Sequence, residues 1–118
     1  MKSKRDSGNR GEQYAVDYLV RKGYRIRERN YWKPWGEIDI IAEAGDTTLV
    51  FVEVKTMHRG DITPEHNMTP AKIMKTKRAA LAYANAHPEL SNKGWRIDVI
   101  AIDLEGDAQA DIRHYINI

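Results

Sequence analysis

No cysteine occurs in this 118-residue chain, which excludes disulfides and thiolate metal sites and fits a reducing compartment. No run approaches the roughly 18 apolar residues of a membrane span. The opening MKSKRDSGNRGEQ is basic, but no apolar segment follows it, so it does not read as a secretory signal. These absences lead to the expectation of a cytoplasmic protein that does not engage membrane. Internal repeats and low-complexity tracts are lacking too. The four histidines, His58, His66, His87 and His114, have no zinc-ligand spacing.

What is present suits one domain spanning residues 1–118, with an ordinary hydrophobic share of 42% for building a core. The net charge is only +2, and its distribution is more informative than its size. Residues 1–33 carry ten Lys/Arg against four acids, and residues 69–78 carry four against none, whereas residues 97–112 carry five acids and no Lys/Arg. Such asymmetry marks either one basic face for a polyanion or ordinary solvated helix faces.

Apolar residues Ala15, Val16, Leu19 and Val20 recur at helical spacing, predicting a helix over 8–22 with Ser7 as N-cap and Gly23 as terminator. Residues 24–31 alternate weakly as a strand, and Lys33-Pro34-Trp35-Gly36 reads as a break. Residues 37–43 and 48–55 are predicted strands joined by a turn around Gly45-Asp46. A polar loop over 57–69 precedes Thr69-Pro70, an N-cap and first-turn pair opening a helix to about Ala86. Residues 95–102 and 111–116 read as strands, the last at an edge. The order α-β-β-β-α-β-β predicts an α/β (α+β) domain, a mixed central sheet flanked by helices.

Three charges interrupt the two apolar strands of the hairpin: Asp39 in GEIDIIA, and Glu53 and Lys55 in LVFVEVKT. Buried charge is costly unless paired. Ile38, Ile40 and Ala42 are expected to form one apolar face, matching Val50, Val52 and Val54 across the hairpin. A three-residue loop at 45–47 puts Ala44 opposite Thr48 and therefore Asp39 opposite Glu53. Facing carboxylates repel across a ladder. A divalent cation relieves that conflict: Mg²⁺ or Mn²⁺ on Asp39 and Glu53, with the Val54 carbonyl as a further oxygen. The competing arrangement is a slipped register with Lys55 facing Asp39 as a salt bridge and no metal, which leaves Glu53 unexplained.

Glu12 lies on the apolar stripe of the first helix with Ala15, Val16 and Leu19. Two readings stand for it: a ligand or base at the metal site, or an acid that stabilises the helix N-terminus. With metal on a nonbridging phosphate oxygen and Lys55 aimed at growing negative charge, such a cluster suits phosphodiester hydrolysis.

Gly11-Glu12, Gly23-Tyr24, GEIDIIA, FVEVKT, Thr69-Pro70 with Lys72, and RIDVIAI together resemble the YraN (UPF0102-type) family of small bacterial proteins. That family is similar to archaeal Holliday-junction resolvases and to nucleases of the PD-(D/E)XK fold. The resemblance covers the chain from about residue 8 to Asn117. It implies a restriction-endonuclease-like αβββαβ core, with Asp39, Glu53 and Lys55 at the motif positions and Glu12 as the helix-one acid. It further implies a homodimer, since cutting two strands symmetrically requires two sites. One departure is the turn before GEID, usually basic and glycine-rich, here Lys33-Pro34-Trp35-Gly36.

Lys33, Lys72 and Lys75 are the candidate phosphate contacts. Lys77 sits among Ile73, Ala80, Leu81 and Ala84 on the expected apolar stripe, where its stem can snorkel. Trp32 and Trp35 flank the hairpin entrance and serve either core or lid packing or stacking on unpaired bases. Glu37 is expected on the face of Asp39, either as a neighbour of the site or as a partner for Lys55. GNRG over 8–11 is too weak for a phosphate loop. Asp98, inside an apolar strand, is expected to make a structural hydrogen bond. The leading expectation is a metal-dependent endonuclease acting on DNA, including branched DNA and single-strand/duplex junctions. The alternatives are a non-catalytic nucleic-acid-binding module of the same fold and a structural adaptor with salt-bridged carboxylates.

Overall fold

The apolar runs pair in chain order, so the sheet grows strand by strand across the molecule. The computed structural model describes residues 4–58, 69–105 and 109–118. Helix α1 (Lys4–Arg21) leads to β1 (Arg25–Lys33), β2 (Gly36–Glu43) and β3 (Leu49–His58). After these come α2 (Pro70–Ala86), the short α3 (Pro88–Ser91), β4 (Trp95–Glu105) and β5 (Gln109–Tyr115). The sheet order is β1-β2-β3-β4-β5. Strands β3 and β4 run parallel, and the other neighbouring pairs are antiparallel. A parallel pair needs a long crossover, and α2 lies within it. This is the expected mixed sheet with flanking helices, the αβββαβ core of a restriction-endonuclease-like fold extended by one edge strand.

Each sheet face has its own core. Ala15 and Leu19 of α1 pack on Ile40, Ala42, Val50, Val52, Ile100 and Ile102. Ala79, Ala80, Tyr83 and Ala84 of α2 pack on Ile38, Ile41, Leu49, Phe51 and Ile97. Strand β3 is thus covered on both sides, which is why LVFV reads as a continuous apolar run. Gly23 ends α1 with φ +91°, a left-handed conformation that glycine adopts without penalty. Thr69 caps α2 as expected, its hydroxyl accepting from the Lys72 N–H at 3.3 Å.

The hairpin register matches the expectation. Ile40 pairs with Val52, Ile41 with Phe51 and Ala42 with Val50. The Ala44 N–H donates to the Thr48 carbonyl at 2.9 Å, closing the three-residue loop. The slipped register with Lys55 across from Asp39 is therefore ruled out.

Several expectations need correction. Helix α1 begins at Lys4, so Ser7 lies within it and is not its cap; no helix breaker stands in residues 4–7. Strand β1 continues through Trp32 and Lys33, which pair with Glu37 and Gly36, so the break shrinks to a Pro34-Trp35 turn. Residues 57 and 58 belong to β3, and the remainder of the polar loop, 59–68, lies outside the described residues. Strand β4 runs on to Glu105, and the last strand starts at Gln109. The short α3 has no counterpart in the sequence reading. Ile38 was expected on the face of Ile40 and Ala42, but it packs with Ile41 and Phe51 on the α2 side. Strand alternation breaks at Asp39, opposite Asn30, whose φ is +53°. The buried stripe of α2 runs through Thr76, Ala79, Ala80, Tyr83 and Ala84, leaving Lys77 and Leu81 exposed. Among the described residues no helix is long and apolar enough to cross a membrane.

Candidate active site

The site forms where β2 and β3 separate. Their last paired residues are Ile40 and Val52, so the next amide on that side of β3 has no carbonyl across from it. The Asp39 carboxylate fills the gap: the Val54 N–H donates to its Oδ2 at 2.8 Å. That bond fixes Asp39 beside Glu53, the neighbour the register implies. Glu53 and Lys55 share a face of β3 through strand alternation, and the Lys55 ammonium lies 3.3 Å from Glu53 Oε1. Both side chains are about one-fifth exposed, at 19% and 21%.

The electrostatics are unbalanced. Burial first, and the Glu53 charge second, push the Asp39 carboxyl up to about 7, against the opposing bond from the Val54 N–H. Burial also raises Glu53, while Lys55 holds it down, with Glu37 and Lys72 as smaller opposing influences. Lys55 therefore compensates Glu53, whereas Asp39 has a hydrogen bond and, among the described residues, no paired cation. Glu12 is half-buried and raised by burial, with the charges of Glu37 and Glu53 adding to the effect and Arg29 opposing it. In the amide orientation that satisfies both groups, Asn30 donates to both Glu12 oxygens, at 3.0 and 3.1 Å.

Glu12, Glu37, Asp39 and Glu53 thus sense one another's charge, as expected for acids converging from α1, β2 and β3. Among the described residues no three acid or histidine side chains close into a complete cage for a metal ion. Two carboxylates with water and substrate phosphate suffice for Mg²⁺. The donor chemistry fits a hard divalent cation, since Asp39 and Glu53 are oxygen ligands whose repulsion such a charge would relieve.

Sequence reasoning missed Asn30. Its sign is an asparagine inside a strand, where a left-handed residue can turn a side chain toward a neighbour. Trp32 and Trp35 are 65% and 52% exposed, so neither is a core residue. They line a cavity of about 410 Å³ with Lys33, Lys72 and Lys75, and the same cavity reaches Glu53 and Lys55. The three candidate phosphate contacts therefore gather at one opening.

Asp98 meets its structural expectation at a separate place. It is fully buried and accepts from Arg96 Nε at 3.0 Å and the Asn117 N–H at 2.9 Å. His114 Nε2 lies 2.7 Å from its other oxygen. Burial pushes its carboxyl up, but the bonds from His114, Asn117 and Arg96 more than offset this and hold it below the ordinary value.

Helices on both faces of a mixed sheet, with two acids and a lysine where its second and third strands part, define a restriction-endonuclease-like domain. The profile described as "Uncharacterised protein family UPF0102" matches residues 11–102. The chain belongs to that family, which is the YraN family that the motifs resemble. It is 43% identical over 115 residues to a UPF0102 protein of Pelobacter propionicus, covering 96% of this chain and 81% of that one. A UPF0102 protein of Syntrophomonas wolfei is 41% identical over 118 residues, covering 96% of each chain. One from Chloroflexus aurantiacus is 42% identical over 113 residues, covering 96% of this chain and 92% of its own.

Proposed function

We propose that this chain is a divalent-metal-dependent endonuclease that hydrolyses phosphodiester bonds in DNA, including branched or otherwise structured DNA. One observation carries the reading: Asp39 sits half-buried beside Glu53, whose charge raises its cost of ionisation, and the Lys55 ammonium pairs with Glu53. Two adjacent carboxylates with one counter-charge between them are poor for stability and suited to Mg²⁺ or Mn²⁺.

Asp39 and Glu53 would hold the ion, with the Val54 carbonyl as a further oxygen. A divalent ion supplies charge neutralisation at a nonbridging phosphate oxygen and a more acidic water. Lys55, anchored by Glu53, presents a fixed cation to the charge that grows on the phosphate during attack. Glu12, raised by burial and held by Asn30, would take the proton of the attacking water. Lys33, Lys72 and Lys75 contact phosphates along the opening. A homodimer would give two such sites for two strands.

The test is a cleavage panel of plasmid, forked and four-way DNA in Mn²⁺, with Asp39→Ala, Glu53→Ala and Lys55→Ala beside the wild type. Cutting by the wild type that needs Mn²⁺ and falls at least about 100-fold in each variant supports the reading. Metal binding with salt-dependent DNA affinity and no cutting would make the chain a binding module instead.

A further inference from the structure

We infer that the site's substrate is DNA with an unpaired nucleotide beside the scissile phosphate, its base received on the indoles of Trp32 and Trp35; this rests on the nuclease reading. Three observations point to it independently of the acids. The first is the exposure of two large aromatics. Tryptophan is highly buried on average, yet Trp32 and Trp35 are 65% and 52% exposed on one hairpin tip. The third tryptophan, Trp95, is less exposed, at 36%, and packs edge-on to Phe51 with ring centroids 5.7 Å apart.

The second observation is that the tip is held. Pro34 and Trp35 form a two-residue turn between the paired residues Lys33 and Gly36. A Cβ on Gly36 would lie 3.0 Å from the Lys75 carbonyl oxygen and 3.4 Å from the Ala79 Cβ. Glycine there lets the hairpin close on the α2 backbone. The indoles therefore sit on a fixed platform, which lowers the ordering cost of a bound ring.

The third is the company they keep. Lys33, Lys72 and Lys75 line the same cavity, whose volume of about 410 Å³ lies within the range of small-molecule sites. Cations beside open aromatic faces bind a nucleic-acid strand through phosphate and base together. A paired base inside a duplex has both faces stacked on its neighbours and offers none to an indole. The platform thus rewards an unpaired base, as at a flap, gap or junction. Because the cavity extends to Glu53 and Lys55, a nucleotide held there brings its phosphate to the acids.

The experiment uses the full chain in EDTA, so its outcome does not depend on cutting. Anisotropy compares a labelled oligothymidylate of about 15 nucleotides with a duplex of equal length, and intrinsic fluorescence is read in parallel. The strand is expected to bind at least about 10-fold more tightly than the duplex and to quench the indole emission. Trp32→Ala and Trp35→Ala should each weaken the strand by about 5- to 100-fold and leave the duplex nearly unchanged. Phenylalanine at either position should restore most of the loss. Unchanged melting temperatures exclude a folding effect, as expected for exposed side chains. Equal affinity for strand and duplex, or alanine variants that bind the strand like the wild type, overturns the inference. Quenching by phosphatidylserine vesicles but not by the strand would assign the indoles to a membrane surface and also overturn it. Mn²⁺-dependent cutting without tryptophan dependence keeps the nuclease reading and rejects this one. Tryptophan-dependent strand preference without cutting does the reverse.

Discussion

Gly11 of α1 packs directly against Thr56 of β3, so closely that a Cβ at Gly11 would collide with the threonine hydroxyl. The contact sets how near the helix comes to the strand, and Glu12 is the next residue. Gly11→Ala should therefore destabilise the fold by about 1–3 kcal/mol through overpacking. Adding Thr56→Ala should recover part of that loss. Urea unfolding of the single and double variants measures both effects.

The raised Asp39 carboxyl predicts a stability cost in the absence of metal. Its folded value is about 7 and its unfolded value about 3.9, so between those limits the folded state binds more protons than the unfolded one. Stability in EDTA should then fall as pH rises through this window, because ionising the half-buried acid beside Glu53 is unfavourable. Asp39→Asn, which can still accept from Val54, should flatten the slope. At pH 8 it should gain on the order of 1–3 kcal/mol. Thermal melts across pH 4–8 in EDTA test this.

Asp98 should show the opposite sign. Its carboxyl is held below the ordinary value, so its contribution is present above the unfolded value and is lost as acid protonates it below about pH 4. Asp98→Ala leaves Arg96 and His114 without their buried partner and should cost about 3–5 kcal/mol at neutral pH. In Asp98→Asn the acid limb of the stability curve should be shallower than in the wild type. Acid titration followed by circular dichroism reads it.

The hairpin loop offers a stabilising change. Thr47 has φ +71°, a left-handed conformation that is unfavourable for a β-branched residue. Thr47→Gly should raise stability by about 0.5–1 kcal/mol, the relieved strain exceeding the extra chain entropy of glycine. A higher melting temperature with unchanged metal response is the expected result.

Much of this architecture was legible because local pattern and global fold agree. The even-sum register of β2 and β3 follows from alternating apolar residues and a three-residue loop, and the pairs from Ile40–Val52 to Glu43–Leu49 keep it. Alternation puts Ile38 on the wrong face because it assumes an unbroken pleat, whereas the chain is irregular at Asp39 and Asn30. The tryptophans were open to two readings, since sequence cannot tell an exposed indole from a buried one. Hydrophobicity favours Leu81 over threonine on the α2 stripe, yet Thr76 is the buried residue, its hydroxyl donating back to the Lys72 carbonyl at 3.1 Å. Asn30 shows only as an asparagine inside a strand, and the roles of Asn30 and Gly36 depend on contacts between elements that local pattern does not encode.

The most direct check on the central claim is a melting curve with and without millimolar Mn²⁺ at pH 8, run on wild type and Asp39→Asn. If Asp39 and Glu53 share a cation, the ion stabilises the wild type by RT ln(1 + [Mn²⁺]/Kd), about 2.7 kcal/mol at a hundredfold excess over Kd. The variant should then show little or no response. Wild type and variant melting alike, each indifferent to Mn²⁺ or each raised by the same amount, would contradict the account.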